Sequence, residues 1–308
     1  MRYALVTLWV GLIASSFCLQ HDYDLLFGRN GNQVDVIQPQ PHPVRRMASV
    51  GNRFILDVGV DFYRDLNTGQ AHLQFCRMQQ AWISPGLVGS KAEFGNVFCE
   101  SGCPNFFDLP TRGTAHHHFL FTAPAPGVYV WDVRGVNARA RDGTPLQDMP
   151  YAYRVYMVAG NPLRLYGNVV APNYQGNLYD LRLTVQLRRG NGVVAQSAQP
   201  PNPTAIYTYM VGFNQPADSY TVVAKLSKHL SRRITNLALS GAHPQDWQFT
   251  TLGDLNEDDR INNADLLTVL FAFGSNDFSA DANGDGTVNN ADLLLVLFNF
   301  GAVGEGAE

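Results

Sequence analysis

Two stretches near the C-terminus place oxygen-bearing side chains at alternate positions: DLNEDDRINNAD, residues 254–265, and DANGDGTVNNAD, residues 281–292. A hard cation such as calcium takes about six to eight oxygen ligands. A twelve-residue loop can wrap it with side chains at positions 1, 3, 5, 9 and 12 and a main-chain carbonyl at position 7. In the first loop those side chains are Asp254, Asn256, Asp258, Asn262 and Asp265, with Arg260 lending its carbonyl. In the second they are Asp281, Asn283, Asp285, Asn289 and Asp292, with the Thr287 carbonyl. The spacing predicts two calcium ions, one per loop. At position 6, where the turn is sharpest, the second loop has Gly286 and the first has Asp259. Aspartate tolerates a left-handed backbone better than most residues, so the second loop is the better formed.

Directly after position 12 each loop turns apolar with helical spacing. Leu266, Leu267, Val269, Leu270 and Phe273 match Leu293, Leu294, Val296, Leu297 and Phe300, and Gly274 and Gly301 stand as stops. Residues 253–275 and 280–302 are identical at 14 of 23 positions. TTLG before the first loop and NDFSA before the second are too short for helices, and position 12 is Asp in both. This loop-then-helix duplication resembles the dockerin type I module over Leu252 to about Val303. The resemblance implies a small calcium-dependent docking domain with two antiparallel helices, and a cohesin module on a scaffold or cell surface as its protein partner. The carboxylates of the two loops repel one another without a cation, so metal binding and folding are expected to be one event.

Two features depart from the family pattern. Positions 10 and 11, often a hydroxylated pair that reads the partner, are Asn263–Ala264 and Asn290–Ala291. Later helix positions are apolar, Leu270–Phe271 and Leu297–Phe298. Phe271 and Phe298 either seal the contact with the preceding domain or meet a partner; because so small a module has little room for a core, the inward packing is the one expected.

The elements ahead of this module read as β. FILDVGVDF, HLQFC, HHFLFTAP and GVYVWDVRG are short runs of β-branched and aromatic residues separated by turn signals. In YDLRLTVQLRR, Leu181, Leu183, Val185 and Leu187 fall on one face and Arg182, Thr184, Gln186 and Arg188 on the other, the period of a half-buried strand. The expected fold class is multidomain and mainly β: two β-sandwich domains, residues 48–160 and 161–251, then the small α-helical calcium module, 252–308. The second sandwich resembles prealbumin-like or carboxypeptidase-regulatory-like modules. Both blocks carry a turn followed by a tyrosine-bearing strand, PAPGVYVWDV and QPADSYTVVAKL. Those tyrosines and Trp131 are read as core residues.

Residues 1–18 have the layout of a secretory signal, with Arg2, an apolar run from Ala4 to Ile13 and small residues at 14–16. That run is shorter than the roughly 20 residues that span a bilayer, so a secreted or cell-surface protein with no transmembrane segment after signal removal is expected. Residues 19–47 read as an N-terminal segment and linker, with a strand near Val34–Ile37 and prolines at 39, 41 and 43. Export permits disulfides. After cleavage Cys76, Cys99 and Cys103 remain, and Cys99 is expected to pair with either of the others.

With 22 basic and 26 acidic residues and a net charge of -4, the 308-residue chain has no electropositive footprint for nucleic acid. His116 and His118 share a strand face, but two imidazoles hold zinc only with a ligand from elsewhere, so they read as solvated strand residues. Asp57 and Asp61, four apart on one strand and so separated by about 13 Å, do not form a glycosidase dyad. No nucleophile elbow, HExxH helix or phosphate loop occurs. The sequence therefore predicts a non-enzymatic exported protein that docks or assembles through its C-terminal module, in a setting linked to polysaccharide. The competing readings place a carbohydrate-binding face, marked by an exposed row of Trp82, Trp131 or nearby tyrosines, or a polysaccharide-active site, in the first β block.

Overall fold

The computed structural model describes residues 25–37, 44–65, 67–110, 113–202 and 208–307. The expected signal over 1–18 and the prolines at 39, 41 and 43 lie outside them. No helix among the described residues is long and apolar enough to cross a membrane. The chain divides into two compact units, residues up to 160 without 126–128, and residues 126–128 with 161 onward.

The first unit is a sandwich. In one sheet Arg53–Phe62 runs antiparallel to His117–Ala123, and Leu25–Asn30 lies parallel to it. In the other, Leu73–Ile83 is flanked by Gly127–Ala140 and Phe106–Leu109. The strand Val44–Val50 belongs to both, pairing at Ala48–Val50 with Arg53–Ile55 and at Val44–Met47 with Tyr156–Ala159. Alternation fills the core: Val58, Val60, Phe119 and Phe121 point inward, while Asp57, Asp61, His118 and Leu120 are only half-buried.

Trp131 is fully buried, its ring 4.8 Å from Phe121 and 5.0 Å from Phe98. A flat Trp82–Trp131 row for sugar stacking is therefore not presented. The strand expected near Val34–Ile37 is Gln33–Val36, and it forms a hairpin with Leu25–Asn30 through Gly31, whose φ is +61°. Leu25, Phe27 and Val34 all enter the core, which draws residues 25–36 of the expected linker into the sheet. Cys99 pairs with Cys103, and Cys76 is a buried free thiol that burial pushes up to about 12.

The second unit holds another sandwich. One sheet is Gly192–Gln199, Leu183–Arg189, Asp218–Leu226 and Arg232–Leu239. The facing sheet centres on Leu163–Val170, paired with Thr208–Phe213, Ala242–Pro244 and Trp247–Gln248. Leu181, Leu183, Val185 and Leu187 are all buried, as their alternation predicts. The turn shared by the two β blocks has one geometric meaning. Tyr129 donates to the Ala125 carbonyl at 3.0 Å and Tyr220 to the Pro216 carbonyl at 2.8 Å, each four residues back.

The C-terminal module lies in this same unit. Its helices are α1, Asn263–Phe271, and α2, Asn290–Phe298. Its core is small, Ile261, Val269, Ala280, Val288 and Val296, and Leu230 from the sandwich completes it. In return Leu295 packs against the sandwich core.

Candidate functional site

Each acidic loop is organised by its first and last aspartates. Asp254, Asp265 and Asp292 are fully buried, and Asp281 nearly so. In the first loop Asp259 N–H donates to Asp254 Oδ2 at 2.9 Å; in the second Gly286 N–H donates to Asp281 Oδ2 at 2.8 Å. These bonds tie position 1 to position 6 and close the tight end of the loop. At the other end Asp265 accepts from Leu255 and Asn262 N–H at 2.7 and 2.9 Å, and Asp292 from Asn283 and Asn289 N–H at 3.0 and 2.8 Å.

The same residues start the helices. Asn262 with Asp265, and Asn289 with Asp292, form capping boxes that satisfy otherwise open N–H groups. Loop positions 9 and 12 thus set where each helix begins. Gly274 and Gly301 then take φ of +82° and +84° just past the helices, the left-handed geometry for which glycine has no steric cost.

Between these ends the remaining positions adopt one pattern twice. Asn256 Nδ2 donates to Asp258 Oδ2 at 2.9 Å and Asn283 Nδ2 to Asp285 Oδ2 at 3.0 Å. Arg260 N–H donates to Asp258 Oδ1, and Thr287 N–H to Asp285 Oδ1. The repeats then brace each other. Ile261 of the first loop bonds to Gly301 and Ala302 after α2, and Val288 of the second bonds to Gly274 and Ser275 after α1.

This donor set fits a hard cation. Asp254 Oδ1 is buried and accepts no hydrogen bond among the described residues, an expensive state for a carboxylate oxygen that a cation would relieve. Burial raises the Asp254 carboxyl above the usual carboxylate range, an effect that Lys225 partly offsets. Among the described residues no three His, Cys, Asp or Glu side chains gather as a ligand group. The loops instead mix Asp, Asn and main-chain oxygen, the chemistry of a calcium-type site.

The sandwich holds both loops through one turn that sequence reasoning missed. Lys225 Nζ donates to Asp254 Oδ2 and to the His229 carbonyl. Lys228 is buried and donates to the carbonyls of Phe278 and Asp281, with its ammonium 3.7 Å from the centre of the Phe278 ring. Ser231 donates its N–H and hydroxyl to the Asp259 carboxylate at 2.7 and 2.5 Å. Gln175 N–H donates to the Asn283 carbonyl at 2.7 Å, and Tyr174 covers Gly284.

The outward faces of the helices correct one expectation. Phe271 and Phe298 do not pack against the preceding domain: they are 85% and 83% exposed. Leu267, Leu270 and Phe273, with their counterparts Leu294, Leu297 and Phe300, are exposed too. Only Val269 and Asp265, and Val296 and Asp292, are buried along the two helices. Each phenylalanine stands two residues past the buried valine of its helix, Val269 or Val296, and so about 200° round on the opposite face.

Two loops of calcium-loop spacing, each passing its last residue to a short helix and each braced by the other repeat, make a duplicated loop–helix module. Residues 252–297 match the family model of the dockerin type I domain, a docking domain and not a catalytic one. No curated protein matches the chain. Among solved structures it is similar to a C-terminal interface mutant of the type II Cohesin-X-Dockerin complex from Acetivibrio cellulolyticus. That match has 19% identity and a TM-score of 0.36, and covers 46% of this chain and 97% of that one. An N-terminal interface mutant of the same complex gives 18% identity, the same coverage and a TM-score of 0.35. The Bacillus anthracis TIE protein is similar at 9% identity over 68% of this chain and 39% of that one, with a TM-score of 0.22.

Proposed function

We propose that residues 252–308 form a calcium-loaded docking module that attaches an exported protein to a cohesin-type partner. The first ion is held by Asp254, Asn256, Asp258, Asn262, Asp265 and the Arg260 carbonyl. The second is held by Asp281, Asn283, Asp285, Asn289, Asp292 and the Thr287 carbonyl. Calcium neutralises the clustered carboxylates, and the fixed loops then orient α1 and α2. Export rests on the layout of residues 1–18, and a polysaccharide setting rests on the dockerin match alone.

The observation that carries the docking reading is the pair of exposed phenylalanines, Phe271 and Phe298, at equivalent positions of the two repeats. Exposed aromatic anchors of this kind supply the apolar centre of a protein interface. Their apolar surround departs from a polar partner-reading pair and selects a cohesin with an apolar face. Calorimetry of the calcium-loaded chain against a panel of purified cohesin modules tests this. Binding that disappears in excess chelator and in the Phe271→Asp, Phe298→Asp double variant supports it. A calcium-loaded chain that binds none of the panel, or a double variant that binds as wild type, contradicts it.

A further inference from the structure

Far in sequence from the C-terminal module, the strands Arg53–Phe62 and His117–Ala123 bring four ionisable side chains together. The register sets Gly59 opposite His118, so Asp57 and Asp61, two residues to either side, flank it. His118 Nδ1 lies 3.1 Å from Asp57 Oδ2, and His116 Nδ1 lies 3.4 Å from Asp61 Oδ2. The two Nε2 atoms face each other at 3.0 Å, with the rings inclined at 75°. His117, between them, turns inward, where its Nε2 meets the Thr114 carbonyl at 2.9 Å.

An ionised carboxylate only accepts hydrogen bonds, so each Nδ1 that faces one carries its proton. The facing Nε2 atoms share either a proton, as an N–H···N hydrogen bond, or one metal ion toward which both lone pairs turn. The separation suits a metal ion: two nitrogens each bonded at about 2.0–2.1 Å to one ion, with an angle between about 90° and 110°, stand roughly 3.0–3.4 Å apart. Carboxylates on the far ring nitrogens are the usual supports of metal-binding imidazoles, fixing tautomer and ring orientation.

We propose that His116 and His118 form a divalent transition-metal site, with their Nε2 atoms as ligands and Asp57 and Asp61 as supporting carboxylates. Imidazole nitrogen suits late first-row ions, and copper(II) binds such a set more tightly than zinc. The chain supplies two ligands, and the four side chains keep between 20% and 38% of their surface open. Water or an oxygen ligand from solution completes the coordination.

The test uses the full chain without an affinity tag, saturated with calcium so that the acidic loops are filled, and titrated with copper(II) under electron paramagnetic resonance. One equivalent should bind with coupling to two imidazole nitrogens, and zinc should compete. His116→Ala and His118→Ala should each abolish this signal. Asp57→Asn should keep the two-nitrogen pattern and weaken binding by roughly tenfold or more. Failure to bind one equivalent, or a two-nitrogen signal that survives His118→Ala, overturns the proposal. Should an alanine variant fail to fold, Asp57→Asn decides: copper affinity equal to wild type overturns it.

Discussion

In the first acidic loop the sandwich reaches a side chain: Lys225 meets the Asp254 carboxylate, and position 6 is Asp259, whose own carboxylate is engaged by Ser231. In the second loop the sandwich reaches the main chain: Lys228 donates to the Phe278 and Asp281 carbonyls, and positions 4 and 6 are Gly284 and Gly286. The repeats agree wherever the task is shared, at positions 1, 3, 5, 9 and 12 and along the helix face. They diverge where they touch the sandwich. Glu257 and Asp259 take φ of +62° and +67° in the first loop, while glycines take +76° and +92° at the same positions of the second. The first loop thus gives up some backbone ease for an anchor, and the second gives up side-chain anchors for close approach.

The largest effects are expected where the repeats agree. Asp265→Ala leaves three buried or half-buried N–H groups without their acceptor, and Asp292→Ala leaves two. Each should cost the calcium-loaded chain about 3 kcal/mol or more in denaturant unfolding, with the first at least as costly as the second. A cost under about 1 kcal/mol for both would remove the carboxylates from the centre of the module.

At position 4 the repeats should respond with opposite signs. A Cβ on Gly284 would stand 2.5 Å from the Tyr174 ring and 2.8 Å from Gly176 N. Gly284→Ala should therefore destabilise by about 2 kcal/mol. Glu257 is exposed, and Glu257→Gly should be neutral or stabilise by up to about 1 kcal/mol. Thermal unfolding of both variants in calcium reads the contrast, and equal shifts would mean that the sandwich does not press on the second loop.

A pH effect should touch both loops alike, because it acts on their common turn. His229 is fully buried between the Tyr174 and Phe249 rings, and burial pushes its imidazole down to about 4. The unfolded chain takes up this proton near the ordinary value of about 6.5. Stability is then complete above that value, falls as pH drops towards 4, and levels off below it. Between pH 7 and 5 the loss attributable to His229 is roughly 2 kcal/mol. Replacing His229 with Gln should flatten this slope, read by thermal unfolding in saturating calcium.

The smallest effect separates the loops again. The Lys225 ammonium sits beside Asp254, a proposed ligand of the first ion, and would oppose that ion's charge. Lys225→Met should tighten calcium at the first loop about tenfold and leave the second unchanged.

The two acidic loops and their hand-over to helices were legible in the sequence because each spans twelve consecutive residues, and the helix stops were legible because Gly274 and Gly301 mark them locally. The alternation from Leu181 to Leu187 likewise revealed which face is buried. What escaped was pairing across distance. Lys225 meets Asp254 from 29 residues away, Ser231 meets Asp259 from 28, and His118 meets Asp57 from 61. No local pattern encodes these registers. Phe271 and Phe298 misled for a different reason: apolar character alone suggests burial, whereas helical phase from Val269 and Val296 turns both outward.

A calorimetric calcium titration of the full chain, paired with its far-ultraviolet spectrum in excess chelator, shows whether the cation and the C-terminal fold depend on each other. Two ions should bind with unequal affinities, the Lys225→Met variant should narrow the gap, and chelator should remove the helix signal of α1 and α2 while leaving the strand signal. Absence of binding heat together with an unchanged helix signal in chelator would contradict that dependence.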